Sequence, residues 1–229
     1  MWALMLYWGF AVSSALFVTH ISEKLGQGVL LNYLLGRYHS PKEETRIFMF
    51  LDLTSSSTYA EKLGHITYSQ LIQDCFFDLT DVVNIFDVRV YQYVGDEVVL
   101  TWEREKGVIN NNCLKTFFAF DRALKEKSEY YKKKYGVVPE FKAGVNFGLV
   151  TIAEVGEMKK ELAFHGDAIN TAAHIRSVCS EYSKKLLISA ELLSLLPDID
   201  KDFSIESMGV RKLKGKKNVV ALFSIEEKI

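Results

Sequence analysis

The feature that most constrains the fold is a β-hairpin signal in the middle of the chain. Residues 88–94, VRVYQYV, and residues 98–102, VVLTW, are rich in β-branched and aromatic side chains, which favour strands. Gly95, Asp96 and Glu97 join the two runs as a tight turn. Because a hairpin pairs its strands antiparallel, the pattern predicts an antiparallel sheet with Asp96 at the tip of a turn.

A second strand signal lies upstream of the hairpin. Residues Arg46 to Leu53, RIFMFLDL, form a compact apolar run that carries Asp52 near its end. A hydroxyl-rich run follows, and hydroxyls from Thr54 to Ser57 are typical of the cap of a helix that begins there. The sequence therefore predicts a strand-to-helix junction at Asp52.

Asp52 and Asp96 are the first candidate functional pair. If their strands are neighbours, the two carboxylates meet, and they repel each other unless one is protonated or a metal ion lies between them. Hard oxygen ligands at strand ends suit Mg²⁺, with a triphosphate completing its shell. The alternative is that an acid in a turn serves only the turn itself.

The rest of the chain alternates between helical and strand patterns. Helical spacing runs from His65 to Phe86 and from about Gly107 to Tyr135, and GDAINTAAHIRSVCSEY predicts a third helix. FKAGVNFGLVTIAEVG alternates like a strand, KLLIS is a short strand, and Phe203 to Ile225 predicts a closing hairpin. We expect an α+β fold with helices packed on a mainly antiparallel sheet.

The first 22 residues contain no Asp, Glu, Lys or Arg. This apolar run is just long enough to cross a bilayer of about 30 Å at about 1.5 Å per residue, which predicts a membrane anchor. The alternative is a buried or dimerising amphipathic helix. Lys24, Arg37, Lys42 and Arg46 lie on its C-terminal side, so the positive-inside rule places the remainder in the cytoplasm. We expect an anchoring helix at 1–22, a helical linker at 23–45 and a catalytic domain at 46–229.

Charge and cysteine content exclude several classes of function. The formal net charge of −1, from 28 basic and 29 acidic residues, argues against a nucleic-acid partner. Cys75, Cys113 and Cys179 are odd in number and far apart, so they indicate neither a disulfide framework nor a zinc site. A reducing compartment fits this pattern.

From about Arg46 to Ile225 the chain resembles the catalytic domain of class III adenylate and guanylate cyclases. FMFLDLTSSST and YQYVGDEVVLTW resemble the two metal-site segments of that family. AGVNFGLVTIAEVG resembles the glycine-spaced strand pair before its substrate-facing loop. HGDAINTAAHI resembles the segment with the ribose-orienting asparagine, and LKGK the segment with the triphosphate-binding lysine. Five segments in the same order are more specific than any single motif.

The resemblance implies a ferredoxin-like βαβ core with added elements and active sites shared between two antiparallel subunits. It implies that Asp52 and Asp96 hold two Mg²⁺ or Mn²⁺ ions for two-metal catalysis on a nucleoside triphosphate, with ATP favoured. The partner of the homodimer would offer substrate-binding and catalytic side chains, namely Gln92, Ala163, Asn170, His174 and Lys214. Thr54 and Ser55 would give N–H donors to phosphate at a helix start, or act only as caps.

The sequence departs from the family pattern at three positions. Gln92 and Ala163 stand where the family carries its two base-selecting residues, and a glutamine amide pairs with either purine. Guanylate and pyrimidine nucleotide cyclases therefore remain alternatives. His174 stands where the family has an arginine that stabilises the transition state, so we expect a slow enzyme unless His174 is protonated or Arg176 substitutes for it.

Three other functions remain open at this point. A dinucleotide cyclase of the GGDEF type shares the metal chemistry, but the hairpin here reads VGDEV. A low-activity or inactive regulatory subunit would supply only half of a shared site. A membrane scaffold would bind no nucleotide. The cyclase interpretation places the protein at a bacterial inner membrane with its catalytic domain in the cytoplasm.

Overall fold

The computed structural model describes residues 1–25, 38, 40–157, 160–212 and 219–228. These residues form two compact units. The larger unit comprises Glu43–Thr151 and Phe164–Ile229, and the smaller comprises Met1–Lys42 and Ile152–Ala163. Of the predicted helical linker at 23–45, residues 26–37 and 39 lie outside the described residues, and the stretch from Lys42 onward belongs to a strand.

Among the residues described, one mixed sheet of eight strands organises the fold. Its strands are β1 (Lys42–Leu53), β2 (Arg89–Val94), β3 (Glu97–Glu103), β4 (Phe141–Val155), β5 (Glu161–His165), β6 (Leu186–Ser189), β7 (Phe203–Lys212) and β8 (Val219–Glu227). The order across the sheet is β2-β3-β1-β4-β6-β8-β7, and β5 pairs with β4. The pairs β1–β3, β2–β3, β6–β8 and β7–β8 are antiparallel, whereas β4–β6 is parallel. The predicted hairpin at Asp96 and the predicted α+β class are confirmed.

The helices of the larger unit are α2 (Ser56–Ile85), α3 (Arg104–Val108), α4 (Asn112–Glu126), α5 (Ser128–Tyr135), α6 (Asp167–Val178), α7 (Ala190–Leu193) and α8 (Ile199–Asp202). Helix α2 kinks at Gly64, where the backbone leaves helical geometry. The main core joins buried apolar residues of α2, α4 and the central strands, among them Leu79, Phe117 and Trp102. This burial stabilises the end of the sheet where Asp52 and Asp96 lie.

The smaller unit contains helix α1 (Trp2–Leu25). Residues Trp2–Ile21 are long and apolar enough to cross a membrane, and none of the window is buried. Large apolar side chains along it, such as Trp8 and Phe10, are exposed. These properties of length and composition agree with an anchor, and a signal sequence would show them as well.

Two local predictions were wrong. The single long helix expected from Gly107 to Tyr135 is interrupted by a 3₁₀ turn at Ile109–Asn111, because Asn110 and Asn111 adopt left-handed backbone angles that break α-helical hydrogen bonding. The expected hydroxyl cap of α2 is also absent: Ser55 precedes the helix in a left-handed conformation and makes no side-chain cap hydrogen bond. The start of that helix near Thr54 to Ser57 is nevertheless confirmed.

Strand β4 and helix α6 approach each other closely at two glycines. A Cβ atom added to Gly144 would lie 2.1 Å from the backbone nitrogen of Arg176 and 2.6 Å from the carbonyl oxygen of Ala172. A Cβ added to Gly148 would lie 2.8 Å from the Cβ of Ala168. The strand therefore touches the helix backbone directly, and only glycine fits at Gly144.

The three cysteines are free thiols and all are buried. Burial raises the pKa of Cys75, Cys113 and Cys179 to about 12. Since the thiolate is the reactive form, these side chains act as small core residues.

We predict that Gly144→Ala destabilises the protein, because its methyl group would overlap the backbone of α6 and force helix and strand apart. Overpacking of this kind costs about 1–3 kcal/mol, or more where backbone must move. The unfolding midpoint of the larger unit, followed by circular dichroism of the full chain in detergent, should fall by several degrees. Gly9→Ala is the matched control, since no atom lies within 4 Å of its added Cβ; an equal midpoint for both variants would contradict the prediction.

Candidate active site

Asp52 and Asp96 lie at the same end of the sheet, close enough for the charge of Asp96 to affect Asp52. Asp52 lies near the end of β1, opposite Glu97 in the register of β3. Asp96 occupies the turn between β2 and β3, and its carbonyl oxygen accepts a hydrogen bond from the N–H of Leu53 at 3.4 Å. The strands that carry the two aspartates are therefore neighbours, which was the condition for the two side chains to lie close together.

The environment of Asp52 opposes its ionisation. Its side chain is 13% exposed, and burial raises the pKa of Asp52 above its ordinary value, with the neighbouring Asp96 raising it further. Arg176 and Lys142 act in the opposite direction but do not cancel the effect of burial. A partly buried carboxylate with a like charge beside it is favoured as a metal ligand, because a cation removes the repulsion.

Two cations contact the same oxygen of Asp52. Arg176 Nη1 and Lys142 Nζ each lie 3.4 Å from Asp52 Oδ2. Arg176 Nη2 also forms a closer ion pair with Glu97 Oε2. Lys142 comes from β4 and Arg176 from α6, so the glycine contact between those elements sets this arrangement.

Sequence reasoning missed the contribution of this ion-pair cluster. The sequence patterns point to Arg176 only as a substitute for His174 and give no role to Glu97 or Lys142, yet the Arg176 side chain is only 26% exposed. The signal in the sequence was weak: Glu97 follows Asp96 directly, but nothing in the chain order links it to Arg176.

Tyr68 of α2 also faces the two aspartates. Burial raises the pKa of Tyr68, and the carboxylates of Asp96 and Asp52 raise it further, since a phenolate beside them would be repelled. The phenol therefore stays protonated and is able to donate a hydrogen bond at this end of the sheet.

Gln92 lies on β2 with its side chain exposed. The pairing of β2 with β3 slips between Val90 and Gln92, so a β-bulge sits beside this residue. Tyr91, at the bulge, packs edge-on against the ring of Phe164 at 4.7 Å, and its hydroxyl accepts a hydrogen bond from the N–H of Phe164 at 3.4 Å. Bulges re-aim side chains next to functional sites.

Ala163 lies on β5 within the smaller unit and is half-buried. Asn170 and His174 lie on α6 one turn apart, so they share a face of that helix, exposed and half-buried respectively. Arg176 follows His174 by two residues and points about 200° away around the helix. Its fork is engaged with Asp52 and Glu97 of its own chain, so it does not occupy the position of His174.

The start of α6 is fixed by a buried amide. Asn146 Nδ2 donates to the carbonyl oxygen of Ala168 at 2.9 Å, and Asn146 is 4% exposed. The strand thus holds the first turn of the helix that carries Asn170. This tie restricts how far Asn170 can move relative to the sheet.

Three predicted substrate-binding residues remain, and the structure describes two of them, Thr54 and Ser55. The N–H of Thr54 donates to the carbonyl oxygen of Glu140 at 2.8 Å, so it is not free for phosphate. Ser55 is exposed, and its carbonyl oxygen accepts from Tyr59 at the start of α2. Lys214 lies outside the described residues.

The donors present suit a divalent cation completed by substrate. Within the part of the chain that the structure describes, no three His, Cys, Asp or Glu side chains are grouped to hold a metal ion by themselves. Asp52 and Asp96 supply carboxylate oxygens only, and Mg²⁺ commonly takes one or two carboxylates and fills its shell with phosphate and water. The two aspartates therefore fit such an ion.

Known proteins resemble this chain in sequence and in structure. Adenylate cyclase 2 of Rhizobium meliloti (strain 1021) is 31% identical over 211 residues, which is 92% of this chain and 58% of that protein. A bacterial light-regulated adenylyl cyclase matches with a TM-score of 0.79 at 18% identity, over 94% of this chain and 63% of the other. The adenylyl cyclase CyaB from P. aeruginosa matches with a TM-score of 0.72 at 17% identity, over 83% and 97% of the two chains.

The chain thus spans less than two thirds of the length of Adenylate cyclase 2. The family model for the adenylate and guanylate cyclase catalytic domain matches residues 38–226, which include both aspartates and the helix that carries Asn170. This chain belongs to the family of adenylate and guanylate cyclase catalytic domains.

Proposed function

We propose that the chain is an adenylate cyclase that converts ATP to 3',5'-cyclic AMP and pyrophosphate. The observation that carries this proposal is the position of Asp52 and Asp96 at adjacent strand ends within a domain of this family. Relatives named as adenylate cyclases support the choice of reaction.

Asp52 and Asp96 are the side chains that would hold Mg²⁺ or Mn²⁺, two ions per site. When bound, such ions supply charge neutralisation for the triphosphate and acidify the attacking hydroxyl. The chain's own residues provide the rest: Asn170 orients the ribose, His174 donates to the phosphate that is attacked, and Lys214 binds the triphosphate. No covalent intermediate with the protein is needed, because the ribose 3'-hydroxyl is itself the nucleophile.

The base is the least determined part of the substrate. Gln92 donates and accepts hydrogen bonds, so it serves adenine or guanine, and Ala163 offers no polar atom from its side chain. Tyr91 and Phe164, the chain neighbours of the two selector positions, contact each other within the larger unit. ATP is favoured by the relatives, and guanylate or pyrimidine nucleotide cyclisation is the alternative.

A second copy of the chain completes the site in this proposal. Apolar side chains are exposed beside the turn that carries Asp96: Tyr93 and Val94 at the end of β2 are each 50% exposed. Burial of such side chains against another copy would favour a homodimer. Residues 1–22 would anchor each subunit in the bacterial inner membrane, with residues 46–229 forming the cytoplasmic catalytic domain.

We predict that Asp96→Ala abolishes cyclase activity. Removing one of two carboxylates halves the ligand set for the metal ions, and losses of 10²-fold or more are typical when a principal charge-stabilising group is removed. The full chain in detergent should be incubated with Mn²⁺ and each of the four nucleoside triphosphates, and the cyclic products identified by mass. We expect cyclic AMP as the main product of the unmodified protein.

Asp81→Ala is the matched control for that experiment, because Asp81 is an exposed carboxylate on α2 away from the two aspartates in sequence. It should retain full activity. Turnover that survives in Asp96→Ala would contradict the metal role, and cyclic GMP as main product would contradict the choice of base. Absence of any product from the unmodified protein, with binding of a triphosphate analogue intact, would favour the regulatory-subunit alternative.

We predict that His174→Arg raises turnover more at about pH 8 than at about pH 6. A free imidazole loses most of its charge across this range, whereas a guanidinium keeps it. Initial rates of cyclic nucleotide formation at both pH values, with saturating Mn²⁺, measure the effect. Equal gains at the two pH values would count against a role for charge at this position.

A further inference from the structure

Charge is nearly balanced at the end of the sheet that carries the aspartates. Asp52, Asp96 and Glu97 supply three carboxylates there, and Arg176 and Lys142 supply two cations. Lys142 and Arg176 both reach Asp52 Oδ2, so each competes with a divalent cation for that oxygen. The strength of these two ion pairs therefore determines how readily Asp52 binds a metal ion.

Glu97 and Asp52 are placed to share Arg176. They are directly opposite on neighbouring antiparallel strands, where Cβ atoms on one face stand roughly 4.5–5.5 Å apart. The guanidinium lies between the two carboxylates, with Nη2 on Glu97 and Nη1 on Asp52. Its contact with Glu97 is the closer one, and the contact with Asp52, at 3.4 Å, is at the long limit for a hydrogen bond.

Because Asp52 and Glu97 are mostly buried, the way they share Arg176 affects the charge of each carboxylate. The side chains of Asp52 and Glu97 are each 13% exposed, so water screens neither of them well. The Nε atom of Arg176 is buried and has no hydrogen-bond partner among the described residues, and the same holds for Glu97 Oε2, so the contact of that oxygen with Arg176 is an ion pair. The guanidinium is therefore held here through its two terminal nitrogens, and loss of one carboxylate partner leaves it to the other.

We propose that Glu97 is a positioning residue that shares Arg176 with Asp52, limits the Asp52 contact to a long one of 3.4 Å, and thereby keeps Asp52 available to divalent cations. This inference rests on the proposed function, because it takes Asp52 as a metal ligand. Glu97 itself need not touch the metal ion. Its part is to compete with Asp52 for a cation that would otherwise pair more closely with that carboxylate.

Two variants, Glu97→Gln and Glu97→Gln combined with Arg176→Gln, should differ in their effect on metal binding. Glu97→Gln frees Arg176 to close on Asp52, which should weaken metal binding about tenfold or more, since a unit charge a few ångströms away in a poorly screened site is worth at least that factor. Adding Arg176→Gln removes the competitor and leaves the formal charge as in the unmodified protein. The second change should therefore restore binding to within a few-fold of the original.

The measurement is a titration of nucleotide-free full chain in detergent with Mn²⁺, followed by the paramagnetic resonance signal of the free ion. It reads metal affinity directly and does not depend on turnover. Four proteins form the series: unmodified, Glu97→Gln, the double variant, and Asp52→Asn. Circular dichroism spectra establish that each is folded.

Rescue by the double variant distinguishes positioning from plain structural support. If Glu97 served only to stabilise the fold, removing its partner as well would not recover Mn²⁺ affinity. Unchanged affinity in Glu97→Gln, or a double variant as weak as the single one, overturns the inference while leaving the metal site intact. Unchanged affinity in Asp52→Asn overturns the proposed function, and this inference falls with it.

Discussion

The contact between strand β4 and helix α6 is the constraint on which the site depends. At Gly144 the strand backbone touches the helix backbone, and any side chain there would push the two apart. That contact brings Arg176 from the helix and Lys142 from the strand to Asp52 on the adjacent strand β1. The glycine spacing therefore contributes to electrostatics as much as to packing, because it fixes which charges neighbour which.

Sheet register and charge act together at the same end of the fold. The hairpin places Asp96 beside Leu53, and the pairing of β1 with β3 places Glu97 opposite Asp52. Acidic groups gathered this closely destabilise a fold unless cations offset them. Here the chain provides its own cations, so the larger unit has a means of tolerating its acidic site without a metal ion, while Asp52 keeps the raised pKa that burial gives it.

Much of this arrangement could be predicted from the sequence, because it follows from local patterns. The strand that ends at Asp52, the Gly-Asp turn and the helix around Asn170 all have short-range signals, and the family resemblance supplied their order. The ion pair between Arg176 and Glu97 joins residues 79 positions apart, and no periodicity encodes it. The break at Asn110 and Asn111 was missed because helical spacing of apolar residues continues across it, whereas backbone angles decide where a helix stops.

The buried thiols have a practical consequence for following this molecule. Because Cys75, Cys113 and Cys179 are all in the interior and hold their protons far above neutral pH, maleimide reagents will find them poor targets in the folded state. A single cysteine introduced on an exposed strand end therefore provides a selective attachment point for a fluorophore, with the native residues left in place. Energy transfer between labelled copies then tests whether the copies pair and whether nucleotide changes that pairing.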